Sequence, residues 1–217
     1  SGRSPSGSDK DLYEKLVDAG GKRAVYGASD RVRSQRGLRE RFRRGLEISG
    51  RYDAKFRKIF RSKGLPEDLA YLPHVESSFQ AHARSSVGAA GMWQFTRGTG
   101  KIYMTVNGTI DERLDPVRAA EGAADYLGDA HRKLNSWPLA VTSYNHGQGG
   151  MMKAKRIYGD DMGTIVRKYK GRYFGFASRN FYSEFLAARQ VASNPKKFFP
   201  EGLSYEPPLS EDRLVLP

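Results

Sequence analysis

Among the ionisable side chains of this sequence, Glu76 stands apart by its surroundings. It lies in LPHVESSF, and Leu69, Leu72, Val75 and Phe79 are spaced like the buried face of a helix leading into it. A carboxyl partly withdrawn from water ionises less readily, so its pKa rises. A general acid working near neutral pH requires that shift. The plainer reading of a lone helix glutamate is a salt bridge at the rim. Three further groups follow in order: Ser85, the glycine-rich GAAGMWQF at 88–95, and Tyr144-Asn145-His146-Gly147. Each also has an ordinary structural reading. The glycines could form a turn, Met92 and Trp93 could pack, and Asn145 with Gly147 could end a helix, where left-handed backbone is common. No second acidic residue occupies a comparable apolar motif. Asp115 precedes Pro116 and reads as a helix cap.

These residues need helices to hold them. DLYEKLVDAG (11–20) predicts a short helix stopped at Gly20-Gly21. Asp30 is placed to cap a basic helical stretch through about Ile48, with Leu38, Phe42 and Leu46 as its apolar stripe. Tyr52, Phe56, Ile59 and Phe60 mark the next helix, and Pro66 suits the first turn of another. Asp115-Pro116 opens a helix to about Leu134, whose Ala120, Ala123, Ala124 and Leu127 permit close packing. Shorter helices are expected over 137–144, 151–158, 161–170 and 179–192. Strand alternation is scarce and no repeat is visible. The expected architecture is all-α and orthogonally packed. Residues 1–10 form a flexible linker, 11–65 a basic helical extension packed on the core, 66–195 the core domain, and 196–217 a Pro-rich extended tail.

The 217 residues carry 37 Lys+Arg against 24 Asp+Glu, a formal charge of +13. Between residues 31 and 63 there are thirteen basic and three acidic side chains. Such a balance favours an anionic partner: nucleic acid, an acidic lipid surface, or an acidic polymer. A solvated helix face is the simpler account of the basic stretch. The absence of cysteine excludes a disulfide framework and a thiolate metal site. No stretch reaches the roughly 18 apolar residues of a membrane span. No zinc-finger or RNA-binding signature accompanies the basic charge.

The ordered set E-S…S-x-x-G-A-x-G-x-x-Q…Y-N-x-G resembles the lytic transglycosylase family of the lysozyme-like superfamily. Its members here are Glu76-Ser77, Ser85, Gly88-Ala89, Gly91-Met92-Trp93-Gln94 and Tyr144-Asn145-His146-Gly147. GLPEDLAYLPHVESSF (64–79) and RLDPVRAAEGAADYL (113–127) are similar to the membrane-bound D type within it. The likeness covers roughly residues 38–195. It implies a goose-type lysozyme-like fold for the core, which becomes the catalytic domain, with an N-terminal helical extension.

For the site, the resemblance implies Glu76 as the single catalytic acid and base. Ser77, Ser85, Gly88, Gly91, Met92, Gln94, Tyr144, Asn145 and Tyr182 become its substrate-binding residues. Ser85 falls on the serine that contacts the acetamido group of N-acetylmuramic acid, and Gln94 on a glutamine lining the sugar cleft. Tyr144 and Asn145 fall on the pair beside the glutamate. Gly88 and Gly91 would let backbone approach the sugar. Trp93 and Phe95 could stack on sugar faces or pack, with packing favoured for at least one. One departure is visible. The family's late tyrosine falls on Phe181, so either Tyr182, one residue on, turns inward or that hydroxyl is missing.

The implied reaction cleaves the β-1,4 bond between N-acetylmuramic acid and N-acetylglucosamine in peptidoglycan glycan strands. With one carboxylate, the substrate's acetamido group would serve as the missing nucleophile. The product would be a 1,6-anhydromuramoyl end. No cofactor, metal or nucleic acid is called for. A monomer is expected, acting in the periplasm or cell envelope, with membrane association only through a segment outside this chain. The competing expectations are a lysozyme-like hydrolase of peptidoglycan or chitin, a non-catalytic glycan-binding module, and a nucleic-acid binder.

Overall fold

The computed structural model describes residues 7–26 and 39–210. The expected cap Asp30 and the start of its helix lie outside the described residues, as do parts of the expected linker and tail. Among the described residues the chain is helical, with isolated bridges in place of strands. It divides into two units, 1–38 and 39–217. The first contains α1 (Ser8–Gly20), stopped by Gly21 at φ 67° as the sequence suggests, and a short 3₁₀ turn at Lys22–Ala24.

The second unit holds the rest. Its helices are α2 (Arg39–Ser49), α3 (Asp53–Ser62), α4 (Leu72–Glu76), α5 (Arg97–Tyr103), α6 (Pro116–Leu134), α7 (Trp137–His146), α8 (Gln148–Tyr158), α9 (Met162–Lys168), α10 (Phe176–Ser193) and α11 (Pro195–Phe198). A 3₁₀ turn, Glu67–Tyr71, leads into α4, with Pro66 at its N-cap and not inside a helix.

By contact the division falls at 38/39, so part of the expected extension, residues 39–65, is packed on the core. Residues 39–65 belong to the same unit as the site because their apolar faces fill its core. Phe56 and Phe60 of α3 are fully buried, and their rings lie 5.1 and 5.9 Å from that of buried Trp93. Removing such a ring would cost about 3–5 kcal/mol, so α3 contributes directly to the stability of the unit that holds Glu76.

Helix α6 runs through the middle, for reasons visible in its sequence. The Asp115 carboxylate accepts hydrogen bonds from the Val117 and Arg118 amides at 2.8 and 3.0 Å, and Pro116 needs no partner at the first position. Ala119, Ala120, Ala123 and Ala124 are buried with Leu127, which lets α3 and α7 approach closely. Asn135 ends the helix in left-handed backbone.

Candidate active site

Glu76 is the last residue of α4, a five-residue helix wedged between α2 and α10. The chain then turns sharply: Ser78 and Phe79 both adopt positive φ, 54° and 59°. Left-handed backbone costs a non-glycine residue about 1 kcal/mol or more. Here the turn is pinned by Ser77 and Phe79 amides, both donating to the Pro73 carbonyl at 3.0 and 3.2 Å, and by the buried Phe79 ring. The strain orients Glu76 at the end of a short rigid post.

Burial pushes the Glu76 carboxyl up to about 8, and the charge of Glu184 adds to the rise. No cation pairs with Glu76 among the described residues. Tyr144 faces it from α7. Burial, and secondly the neighbouring Glu76, hold the Tyr144 phenol well above its ordinary pKa, so it stays protonated. Its hydroxyl donates to the Trp93 carbonyl at 2.8 Å.

Two residues before Glu76, His74 is buried and its Nδ1 has no hydrogen-bond partner among the described residues. It packs between Phe42 and Phe79, ring centroids 5.1 and 4.5 Å away. Desolvation pushes it down to about 3, so His74 is neutral at ordinary pH and supplies no proton there.

The loop 77–96 forms the opposite wall. Backbone hydrogen bonds fold it on itself: Ser85 N to Ala89 O, Gly91 N to Ala83 O, and Ala90 N to Phe95 O, all 2.9–3.0 Å. Ser85 Oγ accepts from the Ala89 amide at 3.0 Å, which leaves its O–H proton available to a ligand. Gln94, at φ 50°, donates from Nε2 to the Gly91 carbonyl at 2.7 Å, which leaves its amide oxygen to accept. Buried Arg113 clamps the loop from outside. It donates to the carbonyls of Gly88 and Phe95, each at 3.0 Å, and pairs with Asp111 at 2.7 Å.

A depression of about 230 Å³ is lined by Gln94, Thr96, Tyr144, Asn145 and His146, among others. The structure therefore brings Gln94, Tyr144 and Asn145 to one wall, with Glu76 beside Tyr144. Ser85 lies in the same loop but does not line this depression. Asn145 is fixed by Ser178 of α10, whose Oγ lies 2.7 Å from Asn145 Oδ1.

Several expected ligand contacts are corrected. Ser77 is buried; its hydroxyl donates to the Met92 carbonyl at 2.8 Å and accepts from the Gln80 amide at 3.1 Å. It joins the turn to the loop and faces no ligand. The Met92 side chain has no exposed surface. Gly91 is needed for a different close approach: a Cβ there would sit 1.6 Å from the Arg113 carbonyl. Gly88 does face open space. Trp93 and Phe95 are both core residues. Phe181 is buried, and Tyr182 lies beside Phe185 with no hydrogen bond to Glu76 among the described residues. Thr96 of the depression went unnoticed in the sequence, and His146 was read there only as a member of the Tyr-Asn-x-Gly motif, without a role at the site.

The family profile of the transglycosylase SLT domain matches residues 56–164, just over half the chain. The chain belongs to this family. The SLT domain is also similar to membrane-bound lytic murein transglycosylase D of Escherichia coli strain K12, at 29% identity over 64% of this chain and 30% of that protein. Membrane-bound lytic murein transglycosylase F 2 of Alkalilimnicola ehrlichii is 32% identical over 51% of this chain and 25% of its own length. This chain thus spans under a third of such relatives. Among solved structures, an inactive mutant of lytic transglycosylase Slt from Pseudomonas aeruginosa superposes with a TM-score of 0.57, at 17% identity, covering 92% of this chain and 31% of that one. That likeness establishes the lysozyme-like all-α fold. The two named murein transglycosylases are described as membrane-bound, whereas no helix among the described residues is long and apolar enough to cross a membrane.

Proposed function

We propose that this SLT domain is a peptidoglycan lytic transglycosylase, with Glu76 as its catalytic acid and base. The observation that carries this reading is the setting of Glu76 beside Tyr144: half-buried, without a cation among the described residues, and with its carboxyl pushed up to about 8 by desolvation. A carboxylic acid in that state can donate a proton at neutral pH. The names of the relatives supply the substrate.

In the first step Glu76 gives its proton to the glycosidic oxygen, and the bond from C1 of N-acetylmuramic acid to that oxygen breaks. The 2-acetamido oxygen bonds C1 and takes up the positive charge, and the family motif assigns Ser85, whose O–H proton is available to a ligand, to that group. In the second step the Glu76 carboxylate removes the proton from the C6 hydroxyl. The C6 oxygen attacks C1, displaces the acetamido oxygen and closes the 1,6-anhydro ring. Glu76 ends protonated, and no water is consumed. Gln94 and Asn145, which line the depression, are assigned to the sugar in this reading. Every group used comes from one chain, so the reading needs no second copy, and it places the protein in the cell envelope, where the polymer is.

Digestion of purified sacculi followed by mass analysis tests this. Anhydro muropeptides, lighter by one water than hydrolytic products, are expected from wild type and not from Glu76→Gln. Hydrated reducing ends would favour the lysozyme-like hydrolase. Undiminished cleavage by the variant would refute the assignment of Glu76.

A further inference from the structure

Tyr144 and Asn145 stand on a turn, where α7 ends, Gly147 adopts φ 87° and α8 begins. The Asn145 side chain is exposed there. A residue on such a turn keeps its place only if the backbone beneath it is held.

One residue of α6 grips this turn on both flanks. Tyr126 is 7% exposed and lines the same depression as Tyr144 and Asn145. Its hydroxyl donates to the Ser143 carbonyl at 2.6 Å, one residue before Tyr144. Its own backbone carbonyl accepts from Gln148 Nε2 at 3.3 Å, one residue after Gly147. Gln148 is steadied in turn by Lys133, which donates to its Oε1 at 2.7 Å. The Ser143 carbonyl already accepts the Gly147 amide at 2.7 Å. A carbonyl oxygen has two lone pairs, and the phenol occupies the second. The Gly147 bond alone would end the helix, so the added bond fixes this peptide relative to α6.

The ring acts on Tyr144 directly. Tyr126 and Tyr144 meet edge to face, with centroids 5.2 Å apart at 76°. Tyr126 is backed by Tyr103 of α5, whose ring lies 5.7 Å away and whose hydroxyl donates to Asp129 at 3.1 Å. Burial pushes the Tyr126 phenol up to about 12, so the donor keeps its proton throughout the working range.

We propose that Tyr126 is a positioning residue for the reaction, a buried strut that sets Tyr144 and Asn145 by holding the peptide ahead of them. The inference rests on the proposed role of this site. The Tyr126 hydroxyl is committed to Ser143, so its effect on the sugar passes through the two residues it holds. Displacing such groups by about 1 Å can cost up to about 10²-fold in rate.

The test measures kcat and KM on sacculi, per folded protein, for the full chain. It compares wild type, Tyr126→Phe, Gln148→Ala, Asn145→Ala, the double variant Tyr126→Phe/Asn145→Ala, and Glu76→Gln. Tyr126→Phe keeps the ring and removes only the hydroxyl. It is expected to lower kcat/KM at least about tenfold and to shift the backbone ¹H–¹⁵N signals of residues 144–147. Gln148→Ala cuts the other arm without opening the core and should lower kcat/KM in the same direction, which keeps the proposal testable if the buried change unfolds the chain. In the double variant the two losses should not add, because residues that act as one unit are coupled. Wild-type kcat/KM in Tyr126→Phe overturns the proposal. So do losses that add in full, which mark a role independent of Asn145, and a loss that disappears once the folded fraction is counted. If Glu76→Gln is inactive while Tyr126→Phe matches wild type, this inference fails and the assignment of Glu76 stands. Full activity of Glu76→Gln removes the reading on which the inference rests.

Discussion

Because Glu76 stays protonated up to about pH 8, replacing it should change two separable quantities. Loss of a general acid lowers activity by about 10²–10⁴-fold, read as muropeptide release at pH 6. The second effect is on stability. In the unfolded chain Glu76 ionises near the ordinary carboxylate value of roughly 4.3. The folded value is higher, so the folded state binds the extra proton, and stability falls as pH rises from about 4.5 to about 8. Glutamine escapes that loss. Glu76→Gln is therefore expected to melt above wild type at pH 8.5, by the equivalent of a few kcal/mol at most, and close to wild type at pH 4. A difference between the two melting curves that is flat in pH would contradict the half-buried, raised carboxyl. Glu76 was legible in the sequence because the apolar spacing around it is local, and Gln94, Tyr144 and Asn145 because the ordered motif holds them together. Thr96 was not: it belongs to no motif, and only the fold of the loop brings it to the depression. Ser77 and Met92 misled for the opposite reason: a motif position says nothing about which way the side chain points.

At the scale of elements, the loop 77–96 has little regular structure and depends on Arg113, 4% exposed, for its shape. Arg113→Met would remove the donor shared by the Gly88 and Phe95 carbonyls and leave Asp111 without its partner. Breaking a buried ion pair from one side costs about 3–5 kcal/mol. Asp111 is partly exposed, so about 3 kcal/mol is expected in urea unfolding. With the loop loosened, KM on sacculi should rise in the folded fraction. Gly91→Ala should cost more, since its Cβ cannot coexist with the Arg113 carbonyl at 1.6 Å and φ is 80°. Wild-type urea midpoints for both would mean that the loop is held by something else. The helices around this loop were largely readable: the Asp115-Pro116 start and the Asn135 stop of α6 are local signals. The clamp was not, because it joins residues 18 and 25 positions apart. No periodicity records such a pairing.

At the scale of the molecule, the unit 39–217 is bound at its edge by the chain beyond α11. The sequence indicated an extended tail from residue 196 through its prolines; α11 (Pro195–Phe198) occupies its start, and residues 202–210 carry no regular secondary structure. It could not indicate where the tail lies. The Glu206 amide donates to the Glu47 carbonyl at 2.8 Å and the Leu209 amide to the Arg51 carbonyl at 3.2 Å, which lays the tail along the end of α2. The Glu206 carboxylate meets Arg44 and Arg51, so part of the positive charge of α2 is answered within the fold. Exposed pairs of this kind contribute under about 1 kcal/mol each, so the backbone bonds and the fit at Gly50 must hold the tail. A Cβ on Gly50 would lie 2.6 Å from the Glu206 carbonyl and 3.0 Å from Tyr205 Cβ. Gly50→Ala should push the tail off without touching Glu76. Overpacking of this kind costs about 1–3 kcal/mol, and the variant should melt several degrees below wild type. Limited proteolysis should cut within 203–210 faster, while turnover of sacculi at low temperature stays near wild type. If melting and proteolysis both match wild type, the tail contributes nothing to the unit it lies against. If turnover falls with the tail displaced, then α2, which packs on α4, transmits the change to Glu76.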